Sequence, residues 1–240
     1  MNKMYKYEMH AHTCPCSGGG GEMEEHIDAL IERGFAGMVI TNHFYRGDNR
    51  IDKDLPWEEF VAPYEEDYER GKRYAQSRDF DLLFGIEEHI CGGREVLIYG
   101  IDPDFLRGTP SLKTAGLCEY AEAVHGAGGV IFQAHPYRER PYIAVAEPFA
   151  EQELLDGIEA FNGGNRPQEN EKAEAFAKER GLRVIGGSDG HKSFSVGYGG
   201  IVSKIRIRDG ETLVKVLKSG EYTLYKDESI YEIRRKYFGF

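Results

Sequence analysis

The sequence of 240 residues predicts an α/β barrel formed by one domain over residues 1–240. Apolar segments of strand length alternate with segments whose apolar residues recur at helical spacing, which is typical of a parallel sheet covered by helices. Histidines and carboxylates follow the carboxyl ends of the predicted strands, where barrel enzymes gather their active sites. An open sheet would hold its outermost strand ends too far apart to share one small site, so these residues favour a closed barrel.

The chain begins with a predicted strand, helix and strand. Side-chain alternation indicates a strand over residues 5–9, and apolar residues at helical spacing indicate a helix over 22–33 that Gly34 ends. The run Gly18–Gly21 lies between them and forms a loop of high backbone freedom that can lie close to a ligand. Residues 36–41 are mostly apolar and indicate a buried strand.

The middle of the chain combines an aromatic helix with further strands. Aromatic residues recur at helical spacing over 57–77, which indicates an outer helix without a chemical role. Two apolar runs, 81–86 and 96–99, indicate strands that form a hairpin or lie side by side. A helix over 115–127 and a strand over 130–134 follow. This part of the chain therefore contributes three predicted strands.

The last part of the chain continues the alternation. Strands are predicted over 158–161, 183–187 and 201–207, and helices over 169–180 and 211–217, and residues 222–225 complete the domain. We expect the aromatic and basic tail, residues 231–240, to pack on the barrel rather than to form a subunit contact. The sequence indicates no particular oligomeric state.

Composition and charge narrow the classes of partner. Hydrophobic residues make up 40% and charged residues 30% of the chain, and no segment resembles a membrane span or a signal peptide, so we expect a cytoplasmic protein without a membrane partner. The net charge of −11 argues against nucleic acid as a partner but not against a small phosphorylated substrate near bound cations. The four cysteines are expected to be reduced. Cys14 and Cys16 could contact a metal, but a constrained turn around Pro15 is the favoured interpretation.

A histidine pair and five further residues form the candidate site. His10 and His12 project to the same side of a strand and can hold one ion, since neutral imidazole suits zinc, manganese or iron. Singly, each candidate could instead cap a backbone group or a helix. Together, seven residues of metal-ligand type exceed the needs of one tetrahedral ion and predict at least two metals. The seven, each at or just beyond a predicted strand end, are His10, His12, His43, Glu87, His135, Asp189 and His191.

Two adjacent metal ions suit the hydrolysis of a phosphoester. One ion lowers the pKa of a water molecule to give hydroxide, and both neutralise the phosphate oxygens and the leaving group. We therefore predict a small phosphorylated metabolite or nucleotide as substrate, with Glu87 and His191 taking part in catalysis. Nearby cations would hold the remaining phosphate charge, although solvated surface charge is an equally good interpretation for each. The candidates are Arg138 and Arg140, followed by Lys192 and Arg166.

Five short segments resemble the successive motifs of the PHP (polymerase and histidinol phosphatase) superfamily, in the order in which that family has them. They are His10-Ala11-His12-Thr13, Thr41-Asn42-His43, Gly85-Ile86-Glu87, Ala134-His135-Pro136 and Gly187-Ser188-Asp189-Gly190-His191. The resemblance implies a distorted (β/α)7 barrel, two or three zinc, manganese or iron ions at the carboxyl ends of the strands, and commonly phosphoesterase activity. It also implies that Glu87 bridges metals and that the other six candidates are ligands.

The sequence departs from the family pattern at three places. The usual ligand after the first motif would fall near Gly18, where Glu22 or His26 could replace it if the glycine loop folds inward. The second motif has Asn42 where aspartate is usual, and the strand around Ile98 lacks a common histidine. His89 is the nearest replacement there.

Two alternatives to a phosphoesterase stay open. The missing ligands are compatible with a non-catalytic or regulatory PHP domain that binds a metal or a phosphorylated ligand. Hydrolysis of a carbon–nitrogen bond uses similar ligands, but no predicted strand end carries a lysine placed to serve as a bridging carbamate.

Overall fold

The computed structural model describes residues 3–14 and 16–238, and in these residues nine strands form one sheet. Across the sheet the strands follow the order β7-β6-β5-β4-β3-β2-β1-β8-β9. All eight predicted strands are present, and the segment 222–225 that completes the predicted domain forms a ninth, β9. Their bounds are β1 Tyr5–Ala11, β2 Gly37–His43, β3 Asp81–Cys91, β4 Arg94–Tyr99, β5 Val130–Gln133, β6 Gly157–Asn162, β7 Val184–Gly187, β8 Gly199–Ser203 and β9 Tyr222–Lys226.

Seven α-helices accompany the strands in the part of the chain that the structure describes. They are α1 Met23–Glu32, α2 Trp57–Gln76, α3 Pro103–Gly108, α4 Leu117–Gly126, α5 Pro167–Arg180, α6 Gly210–Ser219 and α7 Ile230–Phe238. The sequence analysis missed α3, although Asp102 accepts a hydrogen bond from Phe105 N (2.8 Å) and Pro103 occupies the first helical position, a typical helix start. Helix α7 was not predicted either, since residues 231–240 were expected to form a tail that packs on the barrel.

The directions of the strands differ from a purely parallel sheet. Strands β1 to β3 are parallel, as are β5 to β7, but β4 runs antiparallel to both of its neighbours. Gly92 and Gly93 make the β3–β4 hairpin possible, since both adopt positive φ angles (63° and 83°) that other residues rarely adopt. Strands β8 and β9 are antiparallel as well. The β4 reversal brings the first residues of β4, not the last, to the edge where the parallel strands end.

The sheet closes into a barrel between β1 and the segment that follows β7. Asp189 N donates to His10 O (2.8 Å), and His12 N donates to Gly190 O (2.9 Å). Gly187 permits this approach, because a Cβ atom at this position would lie 2.2 Å from His10 Cβ. The first half of β1 pairs with β8 instead. The predicted α/β barrel is thus confirmed as a nearly closed ring of β1 to β7, extended beyond β1 by β8 and β9.

The buried carboxylate of Glu8 stabilises this closure. Its Oε1 accepts from His10 N (3.1 Å) and Ser188 N (2.8 Å), and its Oε2 accepts from Gly197 N (2.9 Å) and the Ser188 hydroxyl. Burial raises the pKa of Glu8, although these hydrogen bonds oppose the rise. Glu8 therefore connects β1, the turn after β7 and the start of β8 at one point.

Two apolar cores lie on the two faces of the sheet. Inside the barrel, Met9, Leu97 and Phe132 belong to one buried cluster, and the Tyr99 hydroxyl donates across the barrel to Met9 O (2.8 Å). Outside, α2 packs Phe60 against the sheet together with α1 and α4, as expected for an outer helix. None of the described helices combines the length and the apolar character needed to cross a membrane.

Helix α7 contacts the barrel through Ile230 and Tyr231. Ile230 is buried in a small cluster with Phe161 of β6, and the Tyr231 hydroxyl accepts from Asn170 Nδ2 (2.9 Å). Residues 239–240 of the predicted tail lie outside the described residues.

Candidate metal centre

All seven candidate ligands meet at the mouth of the barrel, and Glu87 lies at their centre. We call these seven residues the mouth cluster. Glu87 Oε1 lies 3.3 Å from His10 Nε2 and 2.9 Å from His135 Nε2. Glu87 Oε2 lies 3.5 Å from His12 Nε2 and 2.9 Å from His43 Nδ1. Strands β1, β2, β3 and the end of β5 thus direct one carboxylate and four imidazoles to the same point.

The turn after β7 completes the mouth cluster. Asp189 Oδ1 lies 3.1 Å from His12 Nε2 and 3.7 Å from His10 Nε2. His191 lies at the rim, where its side chain is 33% exposed and its ring centroid is 4.3 Å from that of His12. Asp189 and His135 both have positive φ angles (51° and 27°), which are strained for residues with a Cβ atom and are typical of functional sites.

Several imidazole nitrogens in this cluster are buried and lie 2.9 to 3.3 Å from a carboxylate oxygen, but their geometry is not that of a hydrogen bond. They are His10 Nε2, His12 Nε2 and His43 Nδ1. The opposite ring nitrogens of the first two are engaged, because His10 Nδ1 is 2.9 Å from Glu159 Oε1 and His12 Nδ1 is 3.3 Å from Ser17 Oγ. A proton held on Nδ1 by these contacts leaves the Nε2 lone pair directed into the cluster, as in histidines that bind metals.

The donor set fits divalent metal ions. In each of three groups, the ligand atoms lie within 4.8 Å of one another, which is compatible with metal–ligand distances of roughly 2.0–2.3 Å. The groups overlap, because His12 and His43 each belong to two of them. They are His10, His12 and Asp189; His12, His43 and His191; and His43, Glu87 and Glu95.

Charges in the mouth cluster are strongly coupled. Burial alone would raise the pKa of Glu87, but His10 and His43 hold it well below its usual range. Burial likewise opposes ionisation of Asp189, yet Arg138 and His10 keep the pKa of Asp189 well below its ordinary value. The pKa of His10 is well above its usual value despite burial, because Glu87 and two other carboxylates surround it. Without a metal, protons on histidines therefore balance the carboxylates.

His12 differs from His10 in its charge state. Burial, reinforced by His43 and His191, holds the pKa of His12 well below its usual value. His12 is consequently neutral near pH 7 and has its lone pair available for a cation.

Glu159 is a site residue that the sequence analysis missed. It lies in β6 and is fully buried. Besides its contact with His10, its Oε2 accepts from His135 N (3.0 Å) and Asn162 Nδ2 (2.8 Å). Glu159 therefore orients two candidate ligands without facing the cavity. The available signal was a single glutamate inside an otherwise apolar strand.

Glu95 is the second site residue that the sequence analysis missed. Its side chain is 13% exposed, and its Oε2 lies 3.4 Å from His135 Nε2. Burial and the nearby Glu87 raise the pKa of Glu95 to about 7. Two carboxylates thus lie close together in a buried space.

A cavity of about 520 Å³ opens onto the mouth cluster. His43, Asp189 and His191 form part of its lining, and Arg46, Asp48, His89 and Tyr142 line it further from the cluster. Arg46 and Asp48 follow β2, His89 lies near the end of β3 and Tyr142 follows β5, so segments at the carboxyl ends of three strands line the cavity. The sequence analysis had not singled out Arg46.

The four predicted phosphate-binding cations have different environments. Arg138 lines the cavity but is buried, and its Nη2 donates to Asp189 Oδ2 (2.6 Å). Arg140 donates to Glu169 Oε1 (2.8 Å) and to a backbone carbonyl. Arg166 is exposed in a different pocket, and Lys192 is exposed on the turn after β7. Of the four, the structure brings Arg138 to the mouth cluster.

The proposed replacements for missing family ligands do not join the three metal-compatible groups. His26 Nδ1 contacts Glu22 O (3.0 Å), and the Glu22 carboxylate lies 3.3 Å from Arg70 Nη1. His89 Nε2 accepts a hydrogen bond from Gly93 N (3.0 Å) in the hairpin turn. These residues therefore have structural partners of their own.

The loop after β1 is held by polar contacts that include Asn42. Asn42 Oδ1 accepts from Thr13 N (2.7 Å) and Ser17 Oγ (3.0 Å), so the amide connects the end of β2 to this loop. Cys14 and Cys16 are free thiols and belong to none of the three groups, and Pro15 lies outside the described residues.

Comparisons with known proteins agree with this geometry. A family model described as PHP-associated matches residues 167–222. A solved structure from Bacteroides vulgatus, a two-domain protein assigned as containing a PHP-like metal-dependent phosphoesterase, has 15% identity and a TM-score of 0.69 over 93% of this chain and 65% of its own. The family model covers less than a quarter of the chain, and at this identity the solved structure shows a shared fold. A search of curated proteins finds no sequence match to this chain.

Two further solved structures share the PHP fold of this chain. A protein from Bifidobacterium adolescentis, assigned as a metal-dependent phosphoesterase, has 17% identity and a TM-score of 0.57, with 88% of this chain and 95% of that chain covered. A lesion-specific endonuclease from Pyrococcus furiosus has 10% identity and a TM-score of 0.57, with 92% and 58% covered. Because a structural neighbour acts on nucleic acid, the prediction that argued against nucleic acid as a partner is not supported.

Proposed function

We propose that this chain is a member of the PHP superfamily and a metal-dependent phosphoesterase whose active centre is the mouth cluster. The observation that carries the proposal is the set of buried, unpartnered imidazole nitrogens that converge on Glu87 and Asp189 at the base of an open cavity. Buried polar atoms without partners are costly, and bound metal ions would provide partners for these nitrogens. The likeness in fold to proteins assigned as metal-dependent phosphoesterases supports the same function.

The residues present define where two or three divalent ions would bind. We propose that His10, His12 and Asp189 hold one ion, that His43 and His191 contribute to a second, and that Glu87 lies between them with His135 beside it. Bound zinc, manganese or iron would polarise a phosphate and make a water molecule more acidic.

The side chains around the ions have separate tasks. Arg138 holds Asp189 in place and presents a positive charge to the cavity, where it can attract a phosphate. Glu159 fixes the ring of His10. Glu87 would contact both ions, and His191 is the half-exposed histidine that can reach a substrate. Because burial, reinforced by His43, lowers the pKa of His191, it is neutral near pH 7 and able to accept a proton.

The cavity favours a small phosphorylated metabolite or nucleotide as substrate. Its volume of about 520 Å³ lies within the range typical of small-molecule sites. The net charge of −11 opposes a long polyanion. A phosphodiester in nucleic acid is the second candidate, which the fold of the endonuclease neighbour favours. A cytoplasmic location stays a prediction.

The test combines metal analysis with a substrate screen. Protein purified without chelator is analysed for metal and then assayed with manganese or zinc on phosphomonoesters, phosphodiesters, mononucleotides and damaged duplex DNA. We expect about two metals per chain and metal-stimulated turnover of a phosphomonoester. His43→Ala and Glu87→Gln should each lose metal or activity, whereas Tyr68→Phe on the outer helix α2 should not.

The outcomes separate the remaining interpretations. Less than one metal per chain without metal-stimulated turnover would contradict the proposal. Full metal content with tight binding of phosphate esters but no turnover would favour a regulatory PHP domain. Cleavage of diesters or of damaged DNA in preference to monoesters would establish the second candidate substrate, and cleavage of amides alone would indicate carbon–nitrogen hydrolysis.

A further inference from the structure

The reversed strand β4 places a carboxylate at the barrel mouth that belongs to no sequence motif. Glu95 is the second residue of β4, and because β4 is antiparallel to β3 and β5, its beginning lies where the parallel strands end. Its backbone is fixed on both sides, since Glu95 pairs with His89 of β3 and its carbonyl accepts from Ala134 N (3.0 Å) beyond β5.

The side chain of Glu95 points into the barrel. Leu97 and Tyr99 share its face of β4, and both are buried in the cluster that fills the barrel interior. The Glu95 carboxylate therefore lies above this interior core, at the level of the mouth cluster. One of its oxygens lies within 4.8 Å of ligand atoms of both His43 and Glu87.

The ion-pair partner of the Glu95 carboxylate is a histidine. Glu95 Oε2 lies 3.4 Å from His135 Nε2, whereas the Arg138 guanidinium, which also acts on Glu95, is paired with Asp189 Oδ2 at 2.6 Å. Glu87 and Glu95 are both largely buried, so two negative charges would repel each other in a space with few competing solvent contacts. A divalent cation held between them and His43 would remove this repulsion.

The chemistry of this position differs from that of the histidine-rich part of the mouth cluster. His43, Glu87 and Glu95 offer one nitrogen and two carboxylates, whereas His10, His12 and Asp189 offer two nitrogens and one carboxylate. Carboxylate-rich sites suit harder ions such as manganese, and imidazole-rich sites suit zinc.

We propose that Glu95 is a metal ligand and that, with His43 and Glu87, it forms a manganese-selective position beside the histidine-rich one. This proposal rests on the proposed function only in placing metal ions at the mouth cluster. The position formed by His43, Glu87 and Glu95 prefers manganese, and the histidine-rich position prefers zinc. When both ions are available, we therefore expect the resting protein to hold one of each.

The test measures metal content rather than turnover. Wild-type protein, Glu95→Gln, Glu95→His and the exposed control Glu153→Gln are incubated with equal concentrations of manganese and zinc, freed of excess metal, and analysed for both elements. Wild type and Glu153→Gln should contain both metals. Glu95→Gln should lose the manganese and bind it at least about tenfold more weakly in titrations. Glu95→His should recover the ion count with zinc in place of manganese.

Each outcome decides the proposal. Wild-type manganese content and affinity in Glu95→Gln would overturn it. If Glu95→Gln does not fold, as judged by its circular dichroism, Glu95→His decides, and an unchanged manganese-to-zinc ratio would overturn the proposal. Loss of one manganese in Glu95→Gln together with no phosphoester hydrolysis by the wild type would support Glu95 as a ligand while contradicting the proposed function.

Discussion

Replacing Glu159 with glutamine tests whether the mouth cluster is built to bind metal. The Glu159 carboxylate accepts from His10 Nδ1, His135 N and Asn162 Nδ2, at 2.8 to 3.0 Å. Glutamine has the same shape but has one acceptor oxygen and one NH₂ group. If the oxygen of the glutamine faces His10, its NH₂ group faces two other donors, His135 N and Asn162 Nδ2. If the NH₂ group faces His10 instead, the proton of the His10 ring moves from Nδ1 to Nε2, where it blocks the lone pair that would bind a metal.

Either arrangement loses at least one hydrogen bond to a charged acceptor, which is worth about 1.5–3 kcal/mol. Residues that orient metal-binding histidines typically contribute about 10–100-fold in affinity, or about 1.4–2.7 kcal/mol. We therefore expect Glu159→Gln to bind manganese or zinc about 10–100-fold more weakly, measured by competition with a fluorescent chelator. The exposed Glu153→Gln is the matched control. Binding by Glu159→Gln within about twofold of wild type would refute the reasoning.

The remaining predictions concern the barrel closure, one helix and the protons of the mouth cluster. Gly187→Ala should lower the free energy of unfolding, measured in urea, by about 1–3 kcal/mol, because the added Cβ atom would lie 2.2 Å from His10 Cβ. Gly108→Ala should not lower it in this way, because open space surrounds Gly108. Asp209→Ala should cost about 1 kcal/mol, since Asp209 accepts from Thr212 N at the start of α6. Because that N–H lowers the pKa of Asp209, the stabilisation by the ionised carboxylate is present at neutral pH and is lost as the pH falls through the lowered pKa. Wild type and Asp209→Ala should therefore have equal free energies of unfolding in acid. A difference that persists in acid would contradict the role of Asp209 as a helix cap. Metal binding should release protons, because the carboxylate neighbours of His10 raise its pKa well above the usual value despite burial. Titration calorimetry in buffers of different ionisation enthalpy measures the number of protons released. An identical heat of binding in all buffers would contradict proton release.

The fold could be predicted from the sequence because its strands and main helices have strong periodicity. Each of the five predicted helices ends within two residues of the observed position, as α1 (predicted 22–33, observed Met23–Glu32) illustrates. Strand direction was not predictable in the same way, because β4 is as apolar as β3 and β5, the strands on either side of it. Its reversal depends on the two-glycine turn Gly92–Gly93, and that turn alone was compatible with either arrangement.

The candidate ligands could be predicted because they cluster in short motifs at strand ends. The supporting carboxylates could not, since Glu8 and Glu159 lie within strands and acquire a role through partners more than 100 residues away in the sequence. Glu95 could not be predicted in this way, because it lies at the beginning of the reversed strand β4, whereas the motifs lie at strand ends. Arg138 was expected to bind phosphate directly, but its partner Asp189 shows that it also positions a candidate ligand.

Anomalous X-ray scattering from crystals grown with manganese tests the central claim most directly. We expect peaks at the barrel mouth, about 2.0–2.3 Å from His10 Nε2, His12 Nε2 and His43 Nδ1, with Glu87 between them. An ion bound there would use the nitrogens that have no hydrogen-bond partner in the structure. Crystals that bind manganese elsewhere, or that show no peak within reach of these three nitrogens, would contradict the assignment of a metal centre.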